Sequence, residues 1–146
     1  MSALPDPEIE PEFYADIPVK RFVAWVFDSV LLLFISLLIV VFTLFTALFF
    51  LPVVFIALNL LYRGLTIARH SATPGMRLMA IEFRDRDGRR FGPVTAFLHT
   101  AGFVAASAFF VPQIVSIVLM LTTPRRQGLV DLVLGSVAIN RVAERF

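Results

Sequence analysis

From Phe22 to Tyr62 the chain runs through 41 residues in which Asp28 is the only charged position. One membrane-spanning helix takes about 20 apolar residues, so this length predicts two helices joined by a very tight turn. Thr43 and Thr46 interrupt the aliphatic pattern, which places the turn among Phe42 to Ala47 and the spans at about 21–43 and 47–66. Pro52 then falls in the first turns of the second helix, where a missing N–H costs least. A third apolar stretch runs from Thr95 to Leu121 and is broken by Pro112-Gln113. Two readings of it stay open: one kinked span, or a re-entrant helix pair too short for two full crossings. The kinked span would place Arg125 and Arg126 outside, against the positive-inside tendency. Its first half is rich in Ala, Gly, Ser and Thr, which suits close helix packing.

Between the second and third apolar stretches, Met79, Ile81 and Phe83 alternate with Ala80, Glu82 and Arg84, a period of two that predicts a half-buried strand. Asp87-Gly88 is a hairpin turn signal, with Arg89 to Phe91 returning. Residues 136–142, SVAINRV, also alternate, and they could pair with Met79 to Arg84 only if both lie on one side of a membrane. The fold expected is therefore an all-α membrane protein: an N-terminal transmembrane helical hairpin, a short cytoplasmic β-hairpin-like loop over 67–94, and a third apolar segment over about 95–121. This membrane domain occupies 21–142, between tails at 1–20 and 143–146.

Composition narrows the class. Of 146 residues 58% are hydrophobic and 16% charged, with a mean hydropathy of +0.84, well outside the balance of a soluble domain. A chain this short holds no large channel, so any pore would need a homo-oligomer or a membrane partner protein. The net charge of +2 hides an asymmetry: residues 1–19 carry five acids and no base, and the remainder holds all 13 Lys and Arg. With Pro5, Pro7, Pro11 and Pro18 among the acids, the first 20 residues read as a loose tail and not as a signal peptide. Tyr14, Lys20 and Trp25 suit interfacial anchoring. Arg63, Arg69, Arg77, Arg84, Arg86, Arg89 and Arg90 follow the hairpin and assign that loop, and with it the N-terminus, to the cytoplasm. The run RDRDGRR reads as a solvated turn, with contact to anionic lipid headgroups second; nucleic acid is not an expected partner.

There is no Cys, which excludes disulfides and thiolate chemistry. His70 and His99 have no zinc-site spacing, no phosphate-binding loop is present, and scattered Ser and Thr lack a paired base. No enzyme activity, metal or cofactor is expected. The sharpest chemistry is Asp28. Arg21 lies seven positions before it, so the two share a helix face, with Asp28 about 10 Å further along the axis. A carboxylate at helix centre costs about 2.5 to 3.5 kcal/mol on insertion scales. The 17 Leu, Ile, Val and Phe residues from Phe22 to Leu44 offset this with roughly −5 to −10 kcal/mol. Insertion is therefore secure, and Asp28 is either a functional polar site or a structural tie. Asn59 is placed to hydrogen-bond it across the hairpin. Asp131 opens a C-terminal apolar segment, as the ion-pair partner of Arg125 or Arg126 or as a cap.

Taken together, these residues resemble the RDD family of small bacterial membrane proteins, named for one arginine and two aspartates. RFVAWVFD, with Arg21, Ala24 and Asp28, is similar to the family's first helix. TPGMRLMAIEFRDRDGRR is similar to its TPGK-type turn, strand and Asp-Gly hairpin. RRQGLVDLVLGS places Asp131 at its second aspartate. The family usually has His where this chain has Val130, and commonly Arg where it has His99. The resemblance implies a bacterial inner membrane, with Arg21, Asp28 and Asp131 as three corners of one polar set and Asn59 and His99 in support. Two functions follow as expectations: a small transport component for a cation, proton or small ligand, or a non-transporting scaffold whose Arg and Asp groups are structural.

Overall fold

The computed structural model describes residues 3–141, so Val142 of the expected strand and the tail at 143–146 lie outside the described residues. The protein is mostly helical, with two helices long and apolar enough to cross a membrane, a bent helix pair and a two-stranded antiparallel sheet. Helix α1, Ile17–Phe42, and helix α2, Leu51–His70, form the expected hairpin. The threonines mark its turn because Thr43 closes it: its hydroxyl donates to the Ile39 carbonyl at 2.7 Å and accepts from the Ala47 N–H at 3.2 Å. A 3₁₀ segment, Thr46–Phe50, leads into α2, and Pro52 sits in that helix's first turn.

Burial on α1 follows a narrow stripe of Ala24, Asp28, Leu32, Ser36 and Val40, one residue per turn. The other faces expose large apolar side chains such as Leu33 and Phe34, the pattern of a helix whose solvent is lipid. Alongside the stripe lies α3, Pro74–Leu78. It approaches α1 so closely that a Cβ on Gly75 would stand 2.3 Å from the Ala24 carbonyl oxygen, a contact only glycine permits.

Strand β1, Ile81–Arg84, is paired, but not with Arg89 to Phe91. Its partner is β2, Val137–Asn140, antiparallel with Ile81 opposite Asn140 and Arg84 opposite Val137. The Asp-Gly turn does form, with the Asp85 carboxylate accepting from the N–H groups of Asp87 and Arg89 at 2.9 Å each. The residues after it have one apolar side chain to bury, Phe91, whereas β2 brings Val137, Ala138 and Ile139, all enclosed. Nor is β1 half-buried. Glu82 is enclosed too, taking 2.5 Å and 2.9 Å contacts from Arg84 and Arg90, with Arg141 at 3.5 Å. Burial alone would raise the Glu82 carboxyl, but the hydrogen bonds from Arg90 and Arg84 outweigh it and hold it below the usual carboxylate range.

The N-terminal arm is docked where its composition predicted looseness. Tyr14 packs with Val137 and Ile139, joined by Leu4 and Phe13, and its hydroxyl donates to the Pro5 carbonyl at 2.7 Å. Asn140 donates to the carbonyls of Glu12 and Ala15 and accepts from Lys20 Nζ at 2.6 Å. Tyr14 and Lys20 thus hold strand β2 instead of serving as interfacial anchors.

The third apolar stretch forms α4, Pro93–Ala108, and α5, Phe110–Thr122, bent by 117°. The break falls at Phe109, three residues before the predicted site, because Pro112 is harmless in the first turn of α5. Gly64 of α2 makes room for the Phe97 ring of α4, where a Cβ would come within 2.4 Å. After α5 a short helix α6, Leu129–Leu134, leads into β2. Since β1 precedes the bent pair and β2 follows it, their pairing gathers both ends of the pair beside the N-terminal end of α1.

Candidate functional site

Two buried ion clusters flank one cavity. The first is centred on Asp28, which α1 turns inward on its buried stripe. Tyr62 from α2 and the Gly75 N–H at the start of α3 donate to Oδ1 at 2.8 Å and 2.9 Å, and Thr73 donates to Oδ2 at 2.5 Å. The Thr73 hydroxyl also caps α3 by accepting from the Met76 N–H at 3.2 Å. Arg63 stands 4.0 Å from Oδ2. It is 6% exposed, its guanidinium carbon lies 3.9 Å from the centre of the Phe103 ring, and its Nε has no hydrogen-bond partner.

The second cluster is centred on Asp131 in the first turn of α6. Arg21 donates to Oδ2 at 2.5 Å, and His99 Nε2 lies 2.7 Å from Oδ1. The Gly128 N–H and the Ser136 hydroxyl complete the shell at 3.0 Å each. A carboxylate can only accept, so His99 carries its hydrogen on Nε2, and its ring lies against Phe83 and Phe91. Burial alone would push the Asp131 carboxyl up; the Arg21 charge and the His99 bond reverse this and hold it well below the ordinary range.

Between the clusters lies a cavity of about 510 Å³. Arg21, Asp28 and Arg63 form its polar side, and apolar residues of α1, α4 and α5, among them Trp25, Phe103 and Ile117, form the rest. The seven-residue spacing does place Arg21 and Asp28 on one face, and both reach this cavity. They are not partners, however, and the expected three-cornered set divides in two. Asp131 pairs with Arg21 and not with Arg125 or Arg126; Arg126 instead donates to the Leu121 carbonyl. The capping half of the expectation matches the Gly128 bond. Asn59 is not brought to the site: its amide donates to Phe55 within its own helix at 3.0 Å.

Sequence reasoning overlooked Tyr62, Arg63, Thr73 and Gly75. A turn centred near residue 44 mirrors Asp28 onto about 60 to 62, a signal for Tyr62 as much as for Asn59. Arg63 was counted among the arginines of the loop, but α2 continues to His70 and carries it inside.

The model of the RDD family matches residues 17–135 of this chain. The chain belongs to the RDD family. The matched stretch runs from the start of α1 to the end of α6, so it contains both clusters and the cavity of this RDD protein. No curated protein and no solved structure matches the chain. Chemically, both RDD carboxylates are saturated by donors and each faces a guanidinium, which leaves neither an open face for a cation. Among the described residues no group of His, Asp and Glu is gathered so as to hold a metal ion. The group with unused capacity is Arg63, a donor beside a cavity.

Proposed function

We propose that this RDD protein is a membrane-embedded binding component that receives a small ligand in the cavity between α1 and α5, with Asp28 and Asp131 as the structural ties that hold its walls. The observation that carries this reading is the division of labour at the site. Two carboxylates have every near donor pointed at them, while the cavity beside them is of ordinary ligand-pocket size. A cation path through one chain finds little support. Beyond Asp28 the stripe of α1 offers Ser36, whose hydroxyl is used on the Leu32 carbonyl, and Thr43 is likewise bonded to its own helix.

In vesicles containing the purified protein, sodium and proton fluxes are therefore expected to equal those of empty vesicles. Flux above that level, abolished by Asp28→Asn in a folded variant, would overturn the reading in favour of ion exchange.

The same reading places the protein in the bacterial inner membrane, with the sheet, the N-terminal arm and both ends of the α4/α5 pair on the cytoplasmic face. Arg69, Arg77, Arg84, Arg86, Arg89, Arg90, Arg125 and Arg126 then all lie on that side. The bent pair enters and leaves from one face as a re-entrant element. Because the chain has no Cys, single cysteines report topology cleanly. Pro124→Cys is expected to react with an impermeant thiol reagent only after the cytoplasmic face is opened, and Thr46→Cys from the outside of intact cells. Labelling of Pro124→Cys from outside would restore the kinked span.

A further inference from the structure

We infer that the occupant of this cavity is a single-chain amphiphile with an anionic head, drawn from the bilayer and held through its head by Arg63. The inference rests on the binding-component reading above and names its ligand class. Three observations point to it.

The first is Arg63 itself. A guanidinium presents five N–H donors, and here it has a ring beneath it, one carboxylate oxygen at 4.0 Å and an Nε with no partner. Enclosed donors left without acceptors are costly, and a carboxylate or phosphate head placed in the cavity would supply them. Asp28 cannot, because Tyr62, Thr73 and Gly75 already occupy both of its oxygens.

The second is the lining. Apart from the polar side, the walls are apolar, as suits an alkyl chain and not a hydrophilic anion. The third is the mouth. Phe22 and Trp25 of α1 and Ile117 and Leu121 of α5 line the cavity and are also 44% to 63% exposed, so its opening lies between two lipid-facing helix surfaces. A ligand entering there comes from among acyl chains, head inward to the arginine and tail toward the lipid.

Trp25 is the one tryptophan of the chain and lines the cavity, so its fluorescence reports occupancy. The protein in phosphatidylcholine nanodiscs is titrated with dodecanoate, dodecyl phosphate, dodecanol, dodecyltrimethylammonium and inorganic phosphate. Saturable changes are expected with the two anionic amphiphiles, and Arg63→Gln should weaken them about tenfold or more, the scale of a lost charge-assisted hydrogen bond. Ile117→Phe narrows the cavity from α5 without touching either ion cluster and should weaken them as well, which keeps the test decisive if Arg63→Gln fails to fold. Dodecanol binding as tightly as dodecanoate overturns the anionic head while leaving the binding component standing. Equal binding of the trimethylammonium, or a full response to inorganic phosphate alone, overturns the ligand class. Absence of saturable binding by every amphiphile overturns this inference and the binding-component reading together.

Discussion

Replacing Asp28 by alanine is expected to lower the thermal unfolding midpoint of the purified protein by about 10 °C or more. Four groups lose their acceptor at once: the Tyr62 and Thr73 hydroxyls, the Gly75 N–H and the Arg63 guanidinium. A buried arginine stripped of its counter-ion alone costs about 3 to 5 kcal/mol. For a chain of this size each kcal/mol moves the midpoint by about 2 to 4 °C. Tyr62→Phe removes one donor and no charge, and should lose about 1 kcal/mol. Trp25 fluorescence during heating in detergent measures both. An Asp28→Ala protein that melts with the wild type would mean the carboxylate is not a tie, and the case for a functional, exchangeable proton would return.

The second large effect is expected at Asp131. Asp131→Ala leaves Arg21 and His99 facing each other without the charge between them and frees the Gly128 N–H and Ser136 hydroxyl, for a loss of about 3 to 5 kcal/mol. Its diagnostic is the double variant Arg21→Met with Asp131→Leu. Replacing a buried ion pair by apolar groups of similar volume is often neutral, so the double variant should recover much of the midpoint lost by the single one. A double variant as unstable as Asp131→Ala would show that the aspartate acts through α6 and Ser136 and not through Arg21. The window in pH is set by the depressed Asp131 carboxyl. Its folded value lies below its unfolded one, so its contribution is complete above the ordinary carboxylate range and is lost only as pH falls through the folded value.

Much of this architecture was legible in the chain, and the reasons differ from element to element. The hairpin turn was visible because lipid forbids an unpaired backbone, and Thr43 and Thr46 are the polar groups that can close a turn there. Arg21, Asp28 and Asp131 stood out because charges within or beside apolar runs are expensive. Arg63 was hidden by the same logic: a charge at the edge of an apolar run reads as its end, and nothing local shows that α2 continues two turns beyond it. The partner of β1 was hidden by distance, since Asp87-Gly88 is a strong local hairpin signal while Val137–Asn140 lies more than 50 residues away. In the N-terminal arm, composition gave five acids their full weight and missed that Leu4, Phe13, Tyr14 and Ile17 are enough to dock it. That Asp28 and Asp131 head separate clusters could not be read at all, because the spacing of Arg21 and Asp28 fixes a face but not which neighbour reaches it.

The two clusters also differ in when they can exist. Asp28 finds Tyr62, Thr73 and Gly75 at 34, 45 and 47 residues further on, so the first tie closes as soon as the helical hairpin and the turn after it have left the ribosome. Arg21 must wait 110 residues for Asp131, an interval of about 5 to 20 s at usual rates of chain growth. Through that interval the hairpin is already folded around its first aspartate, while the arginine at its edge remains a charge in search of a partner. Synthesis thus builds the membrane half first and leaves the second pair as a late clasp, fastened only by a chain that has been made through α6.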